Sequence, residues 1–146
     1  MSSDDQWSVA TGENDGKPLI FRIRNQPPAF ATKDAFPHLL AVSWQFVPPN
    51  EQGMPSTQDS ERMTELEDLL EAGLEGARQA FLTVVVTGNG TREWQWYARD
   101  PDKLMDQVNK TLGQLDPFPI EFSFQEDPQW EAYTRMLDSC GPGGES

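Results

Sequence analysis

The chain has 146 residues, which suits one domain built around a single hydrophobic core. Its 24 Asp and Glu residues outnumber 11 Lys and Arg residues, so the net charge is −13. This charge disfavours direct binding to nucleic acid or an anionic membrane, because both are bound through cationic side chains. The apolar runs have the length of strands, the N-terminus lacks the apolar core of a secretion signal, and Cys140 is the single cysteine. We therefore expect a soluble protein of the reducing cytoplasm.

The first half of the sequence predicts strands followed by a long helix. The segments DQWSVA (5–10) and LIFRIR (19–24) flank a turn-rich link and predict a hairpin. After an irregular connection that contains prolines, HLLAVSWQFV (38–47) predicts a further strand. Ser56 or Thr57 is suited to cap a helix. From there to Ala77, apolar residues recur at steps of three and four and predict one buried stripe: Met63, Leu66, Leu70, Leu74 and Ala77.

The second half predicts a hairpin and two further helices. FLTVVVT (81–87) and TREWQWYA (91–98) are joined by a Gly-Asn-Gly turn, and PIEFSF (119–124) is the last strand. Asp100 before Pro101 predicts a helix start, with Leu104, Met105, Val108 and Leu112 on its apolar face. Asp127 before Pro128 repeats this chemistry and predicts a short third helix, whose inward residues are Trp130, Tyr133 and Leu137.

The order of these elements predicts the fold class. From residue 38 the order is strand, helix, strand, strand, helix, strand, which is typical of an α+β, ferredoxin-like βαββαβ sandwich. We expect an antiparallel sheet with helices on one face, extended by the N-terminal hairpin and the short C-terminal helix. The predicted organisation is a single domain over residues 6–137, with disordered segments at 1–5 and 138–146.

Trp94 and Trp96 lie on the same face of a predicted strand. Such a pair can be part of the hydrophobic core, or it can form a platform on which bases stack. Their alternation with Glu93, Gln95 and Tyr97 matches the apolar sets of the other strands, so we expect them to lie under the helices. The opposite face would then be open and polar. It would carry Gln45, Glu93, Gln95 and Tyr97, together with Ser43, Glu121 and Ser123.

The register of this hairpin depends on its turn. A three-residue loop pairs Val84 with Trp94, and Leu82 then opposes Trp96. A two-residue Asn-Gly turn instead pairs Val85 with Trp94, and Thr83 then opposes Trp96. The first register brings apolar residues together, so it is the one we predict.

Several stretches resemble one known family. These are REWQWYARDPDKL (92–104), the Trp and Asp-Gly-Lys-Pro of the N-terminal hairpin, and EDPQWEAY (126–133). In order and spacing they resemble a bacterial family of unknown function, DUF695, over roughly residues 6–137. That family looks related to the regulator of ribonuclease E activity B group, small acidic proteins that bind a nuclease. The resemblance implies the fold and a binding role, and it implies no catalytic residues.

The sequence offers little for catalysis. His38 is the only histidine, at the start of a strand, and no nucleophile elbow, phosphate loop or dinucleotide motif is present. A zinc site would need more His or Cys ligands than the chain has. We expect no enzyme activity, no catalytic residues, no cofactor and no metal.

The first helix carries the strongest surface feature. Its acidic residues predict either a solvated exterior or a docking surface for a basic protein. The candidate partner-binding residues are Glu61, Glu65, Glu67, Asp68, Glu71 and Glu75. Arg22 and Arg24 alternate on the second strand, as expected of a wet strand face or edge.

We expect a non-catalytic, acidic module that inhibits or regulates a partner protein with a basic surface. The partner would then be a nuclease, or a toxin that this chain neutralises as an immunity protein. A second hypothesis is an enzyme or small-ligand binder with a pocket between the N-terminal hairpin and the sheet. A third is a homodimer joined across the open sheet face, with Tyr97 and Val85 buried.

Overall fold

The computed structural model describes residues 7–14, 16–113, 115 and 118–140. The strands are β1 (Trp7–Asn14), β2 (Lys17–Arg24), β3 (His38–Gln45), β4 (Ala80–Gly88), β5 (Thr91–Ala98) and β6 (Ile120–Glu126). The helices are α1 (Thr57–Leu70), α2 (Pro101–Leu112) and α3 (Glu131–Cys140), and a π-helical segment (Glu71–Glu75) continues α1. The predicted disordered segment 1–5 lies outside the described residues, as does 141–146. Residues 138–140, also predicted to be disordered, belong to α3.

The described strands form one antiparallel sheet in the order β1-β2-β4-β5-β3-β6. Together with the helices, this sheet makes a mixed α+β fold. The predicted N-terminal hairpin β1–β2 extends the sheet beside β4, where Ile20 pairs with Thr87 and Ile23 with Val84. β2 is therefore an internal strand, and β1 and β6 form the two edges.

Helix α1 begins as its sequence predicts. The Ser56 hydroxyl accepts a hydrogen bond from the Asp59 N–H at 3.1 Å, which satisfies one of the free amides of the first turn. The predicted stripe is fully buried at Met63, Leu66, Leu70 and Leu74. Ala77, in contrast, is exposed. The helix changes to π-helical pairing at Glu71 and ends before Ala77, so the spacing that predicted its burial no longer applies.

Apolar clusters lie on both faces of the sheet, which corrects the prediction that helices cover one face. The first cluster joins β3, β4 and β5 to α1 and α2. The second lies on the opposite face, where α3 and residues 30–36 pack against Phe81, Val84 and Tyr97. Tyr97 was predicted to lie on an open face, but it is fully buried because the aromatic rings of Trp130 and Tyr133 cover it.

Trp94 and Trp96 are fully buried in the first cluster, beneath α1 and α2, as predicted. The predicted register of their hairpin is wrong near the turn. Gly88 pairs with Thr91 around a two-residue turn, whose Asn89 and Gly90 have φ values of 53° and 79°. Positive φ at both central residues is typical of a type I′ turn, which matches the twist of the flanking strands.

A bulge then changes the register along the same hairpin. Val85 opposes Trp94, whereas Val84 opposes Gln95 and belongs to the other face. The register shifts between Leu82 and Val84, so Leu82 faces Trp96 as predicted. The displaced Thr83 is buried, and its hydroxyl donates a hydrogen bond to the Gln95 carbonyl at 2.9 Å. Because of the bulge, Thr83 has no partner on β5 in the pairing register.

Asp127 fixes α3 to the sheet. Its carboxylate accepts hydrogen bonds from the N–H groups of Glu131 and Ala132 at 2.8 and 3.0 Å, and from the Tyr97 hydroxyl at 2.6 Å. Asp127 therefore caps the helix as predicted, but α3 begins at Glu131 rather than at Pro128. Trp130, with φ of 55°, separates the cap from the helix. This geometry lets one carboxylate hold both the helix start and the strand β5.

Burial and hydrogen bonding set the pKa values in this contact. Burial acts to raise the pKa of Asp127, but the hydrogen bonds from Tyr97, Ala132 and Glu131 outweigh it and hold the pKa below its ordinary value of 3.8. Burial, with donation to Asp127, raises the pKa of the Tyr97 hydroxyl. The pair is thus a neutral phenol that donates to a carboxylate at neutral pH.

Candidate functional site

Helix α1 presents a polar row to strand β2, beside its buried stripe. The row follows helical spacing, so its members share one side of the helix and of the π-helical segment. It consists of Ser60, Thr64, Glu67, Glu71 and Glu75. Opposite this row, Arg22 and Arg24 project from β2 on the helix-covered face of the sheet. The row therefore places carboxylates against guanidinium groups inside the fold.

Glu67 is the centre of this arrangement. Its Oε1 accepts hydrogen bonds from the Arg22 guanidinium and from the Trp94 indole N–H, the latter at 2.9 Å. The Glu67 side chain is 12% exposed. Glu67 was predicted to face a partner protein, but the positive charge of Arg22 and the indole donor draw it inward.

Glu75 is turned inward in the same way. Its Oε2 accepts hydrogen bonds from the Arg24 guanidinium at 3.1 Å and from the Leu82 N–H at 3.0 Å. Both arginines of β2 also lie over the Trp7 ring, with the Arg22 guanidinium carbon 5.3 Å and that of Arg24 5.9 Å from its centroid. The interpretation of Arg22 and Arg24 as a strand edge is therefore wrong, because β2 is internal to the sheet. Arg24 is largely covered, whereas the Arg22 side chain remains 37% exposed.

Glu71 lies between these two pairs and makes no ion pair among the described residues. Burial raises its pKa to about 7, with further contributions from Glu67, Glu75 and Asp68 and an opposing one from Arg24. Its predicted role in binding a partner by charge is therefore weakened, since the raised pKa reduces its ionisation near neutral pH.

We expect Glu71→Gln to stabilise the protein at pH 8 and to change little at pH 5. The carboxyl ionises above pH 4.5 in the unfolded chain but only near pH 7 in the fold, so wild-type stability falls as the pH rises between these values. Because the side chain is partly exposed, we expect a gain of about 1 kcal/mol at pH 8. Urea unfolding of both proteins at the two pH values measures it. Equal differences at pH 5 and pH 8 would contradict the raised pKa.

A pocket of about 450 Å³ lies where the polar row meets the sheet. Its charged and hydroxyl-bearing lining residues are Arg22, Glu67, Arg92, Ser60, Thr64 and Thr87. Apolar side chains complete the wall: Ile20, Met54, Pro55 and Val85. Its volume is within the range of small-molecule sites, and it lies between the N-terminal hairpin, α1 and the β4–β5 hairpin.

The loop before α1 fixes the rim of this pocket. The Gly90 N–H donates a hydrogen bond to the Gly53 carbonyl at 2.9 Å, and the Phe46 N–H donates to the Gly90 carbonyl at 2.9 Å. Gly53 has φ of 81°, and a Cβ there would lie 2.9 Å from the Asn89 nitrogen. Only glycine fits this close approach, which holds the adjoining Met54 against the pocket.

Sequence reasoning missed the Arg22–Glu67–Arg92 group as a site. The sequence signal that could have revealed this group is the pair Arg22 and Arg24 on one face of β2, since buried arginines require carboxylate partners and the acidic helix α1 supplies them. Arg92 also begins the stretch that carried the family resemblance.

The remaining acidic residues of α1 face outward. Glu61, Glu65 and Asp68 are exposed and form no ion pair among the described residues. Arg62, the basic residue in this part of the helix, lies over the Phe118 ring at 4.6 Å instead. The outer acidic face, defined as Glu61, Glu65 and Asp68, is therefore uncompensated.

The polar part of the second sheet face is smaller than predicted. Gln45 is exposed, and Glu93 and Gln95 are half-buried. Glu93 accepts hydrogen bonds from the Gln95 amide at 2.9 Å and from the Ser43 hydroxyl at 3.4 Å. The remaining open area is a network of polar side chains. Tyr97 is not part of it, because Tyr97 lies in the core.

The single histidine and the described acidic residues form neither a catalytic group nor a metal site. His38 is half-buried where β3 begins. Among the described residues, no group of three or more His, Cys, Asp or Glu side chains is placed to hold a metal ion. None of the described helices has the length and apolar character needed to cross a bilayer.

A family model described as a family of unknown function, DUF695, matches residues 5–137. The chain belongs to the DUF695 family. The resemblance found in the sequence is thereby confirmed, and the matched range of this DUF695 domain includes the pocket, the outer acidic face and the Asp127 contact. No curated protein shows a significant match to this DUF695 domain.

Proposed function

We propose that this DUF695 domain is a non-catalytic module that binds a partner protein with a basic surface and inhibits or regulates it. The observation that carries the proposal is the division of charges on α1. Arg22 and Arg24 pair with the inner carboxylates Glu67 and Glu75, and among the described residues no cation forms an ion pair with the outer acidic face.

Physical chemistry supports a binding role for such a face. Clustered like charges on a helix disfavour the folded state slightly, and a complementary partner relieves that repulsion. In the basic groove of a partner that binds nucleic acid, carboxylates can take the place of the phosphates. A nuclease or a toxin bound by an immunity protein is the partner class that we propose.

The test replaces the outer acidic face by neutral isosteres. The variant Glu61→Gln/Glu65→Gln/Asp68→Asn is immobilised beside wild type, and both are exposed to extract from the native cells. We expect wild type to retain a basic protein that the variant loses, and salt between about 0.05 and 0.5 M to release it. With that protein purified, stopped-flow mixing is expected to show association at least about tenfold slower for the variant.

The matched control neutralises exposed carboxylates elsewhere. Glu121→Gln/Glu126→Gln/Glu131→Gln removes the same net charge from β6 and α3. We expect this control to retain the partner like wild type. Equal retention by the α1 variant, or an affinity that does not depend on salt, would overturn the proposal.

We also propose a more specific fold and cellular setting. The central strand order β4-β5-β3-β6, with α1 linking β3 to β4 and α2 linking β5 to β6, supports a ferredoxin-like core. A relation to the regulator of ribonuclease E activity B group agrees with the acidic composition. A bacterial, cytoplasmic location fits a sequence with a single cysteine.

The residues expected to be buried in a homodimer interface are not available for it. Tyr97 and Val85 were expected to be buried between two copies, but they are already buried within one chain. A dimer across the second face would have to use Gln45, Glu93 and Gln95. The pocket between the N-terminal hairpin, α1 and the β4–β5 hairpin favours the small-ligand hypothesis.

A further inference from the structure

We propose that the pocket beside Arg22 and Arg92 binds a small organic oxyanion, a phosphate monoester or a carboxylate with a short apolar body. The pocket uses other residues than the outer acidic face, so this proposal and the protein-binding function stand or fall separately.

The pocket carries a charge opposite in sign to that of the whole protein. Its ionisable lining residues are Arg22, Glu67 and Arg92, which give the wall a net positive charge within a protein of net charge −13. Glu67 is bound to Arg22 and to the indole of Trp94. The positive charge of Arg92 is therefore not matched by a carboxylate of its own, and among the described residues Arg92 forms no ion pair.

Arg92 has hydrogen-bond donors that the described residues leave free. Its Nε donates to the Thr87 hydroxyl at 2.8 Å, and its terminal nitrogens have no hydrogen-bond partner among the described residues. Within the same residues, Gln79 Oε1 and Trp96 Nε1 are the fully buried side-chain atoms that lack a partner. The terminal nitrogens of Arg92 therefore reach solvent, and the cavity that Arg92 lines is where they can meet a ligand.

Burial strengthens this argument. Removal from water lowers the pKa of Arg92, against an opposing effect of Glu67. A guanidinium that has lost part of its hydration binds an oxyanion more strongly than one on an open surface, and its planar fork matches the two oxygens of a carboxylate or phosphate. Thr87, which also lines the pocket, orients the fork through Nε.

The hydroxyl and apolar walls define the rest of the ligand. Ser60 and Thr64 lie one helical turn apart on α1, next to Glu67, and can donate to further oxygens of the anion. Ile20, Met54, Pro55 and Val85 line the remaining wall, and Ile20 is 39% exposed. An anionic head bound to Arg92 thus leaves room for a small apolar group toward the rim.

Substitution of Glu67 tests the proposal through an expected increase in affinity for the anion. As an anion, Glu67 competes with the ligand for the guanidinium groups, so Glu67→Gln should tighten anion binding while its amide oxygen still accepts from Arg22 and Trp94. Arg92→Gln should abolish binding, and Arg92→Lys should weaken it because the bidentate fork is lost. Arg135→Gln removes an exposed guanidinium on α3 and serves as the matched control.

The experiment is an NMR titration of the ¹⁵N-labelled chain with inorganic phosphate, phenyl phosphate and benzoate at a constant ionic strength of about 0.15 M. We expect saturating shifts of the Arg92 Nε–Hε and Trp94 indole signals, with inorganic phosphate in the millimolar range. Phenyl phosphate or benzoate should bind about tenfold tighter than inorganic phosphate through the apolar wall. The tighter of these two assigns the head group.

The variants decide the outcome. Glu67→Gln is expected to bind about tenfold tighter, Arg92→Gln to show no saturation, and Arg135→Gln to match wild type. Linear, non-saturating shifts in wild type would overturn the proposal. So would weaker binding by folded Glu67→Gln, or wild-type affinity in Arg92→Gln. If Arg92→Gln does not fold, the direction of the Glu67→Gln change decides alone.

Discussion

Replacing Asp127 by alanine is expected to lower the free energy of unfolding by about 3 kcal/mol, one of the two largest effects that we predict for a single residue. The substitution removes an acceptor shared by the Tyr97 hydroxyl and the N–H groups of Glu131 and Ala132. The phenol is fully buried, so its lost bond is not replaced by water. Urea titration, or a fall in Tm of about 10 °C, measures the effect.

Asp100 provides the matched control for this prediction. It also precedes a proline and caps a helix, accepting from the N–H groups of Asp102 and Lys103 at 2.9 and 3.3 Å. Its hydrogen bonds are exposed, and among the described residues no buried hydroxyl donates to it, so Asp100→Ala should cost about 1 kcal/mol. Equal costs for Asp100→Ala and Asp127→Ala would show that the Tyr97 contact contributes nothing.

The pH dependence of the Asp127 contact has a definite sign. The folded pKa of Asp127 lies below its ordinary value of 3.8, so its stabilisation is fully present above that value. It is lost as the pH falls through the folded pKa, when the carboxylate becomes protonated. The difference between wild type and Asp127→Ala should therefore be constant above about pH 5 and shrink in stronger acid.

Local sequence rules predicted the parts of the fold that depend on local chemistry. The stripe from Met63 to Leu74 follows helical spacing, and the alternation around Trp94 and Trp96 placed both rings on the helix-covered face. The cap at Asp100 was predicted for the same reason, and Ser56 was one of two candidate caps with Thr57, because a capping side chain and the amides it binds are close in sequence.

Long-range contacts could not be predicted in this way. Glu67 and Glu75 lie on the helix at positions that suggest a surface, and their arginine partners are 45 and 51 residues away in sequence. Only the docking of β2 beside β4 brings them together. The cover on the second sheet face has the same origin. Trp130 was expected to face inward, but its spacing does not say which face of the sheet it meets.

The pocket illustrates the same limit for function. Its walls come from β2, the loop before α1, α1 itself, β4 and β5, so no short motif contains it. Arg92 alternates with Trp94 on β5 and shares its face, as the register with Thr87 and Val85 shows. A charged residue on a helix-covered face must find polar partners, and this requirement marks the site more clearly than any sequence pattern.

The two buried tryptophans should respond differently to replacement by phenylalanine, and this is the other prediction with a large expected effect. Trp94→Phe removes the indole that donates to Glu67, and we expect it to cost about 3 kcal/mol, from lost volume and a carboxylate short of one donor. In the described structure the Trp96 indole nitrogen is buried without an acceptor. Trp96→Phe removes that unpaired donor, which offsets the lost volume, so we expect a cost below about 1 kcal/mol.

Neighbouring positions on one strand make this comparison direct. Both rings are fully buried in the same cluster, so equal losses of volume should cancel between the two variants. Urea unfolding of wild type and both variants gives the difference of about 2 kcal/mol that we assign to the Glu67 hydrogen bond and to the unpaired Trp96 donor. In a Glu67→Gln background that difference should shrink, because an amide oxygen accepts the indole N–H more weakly than a carboxylate. Equal costs in wild type would mean that the Glu67–Trp94 bond does not stabilise the fold.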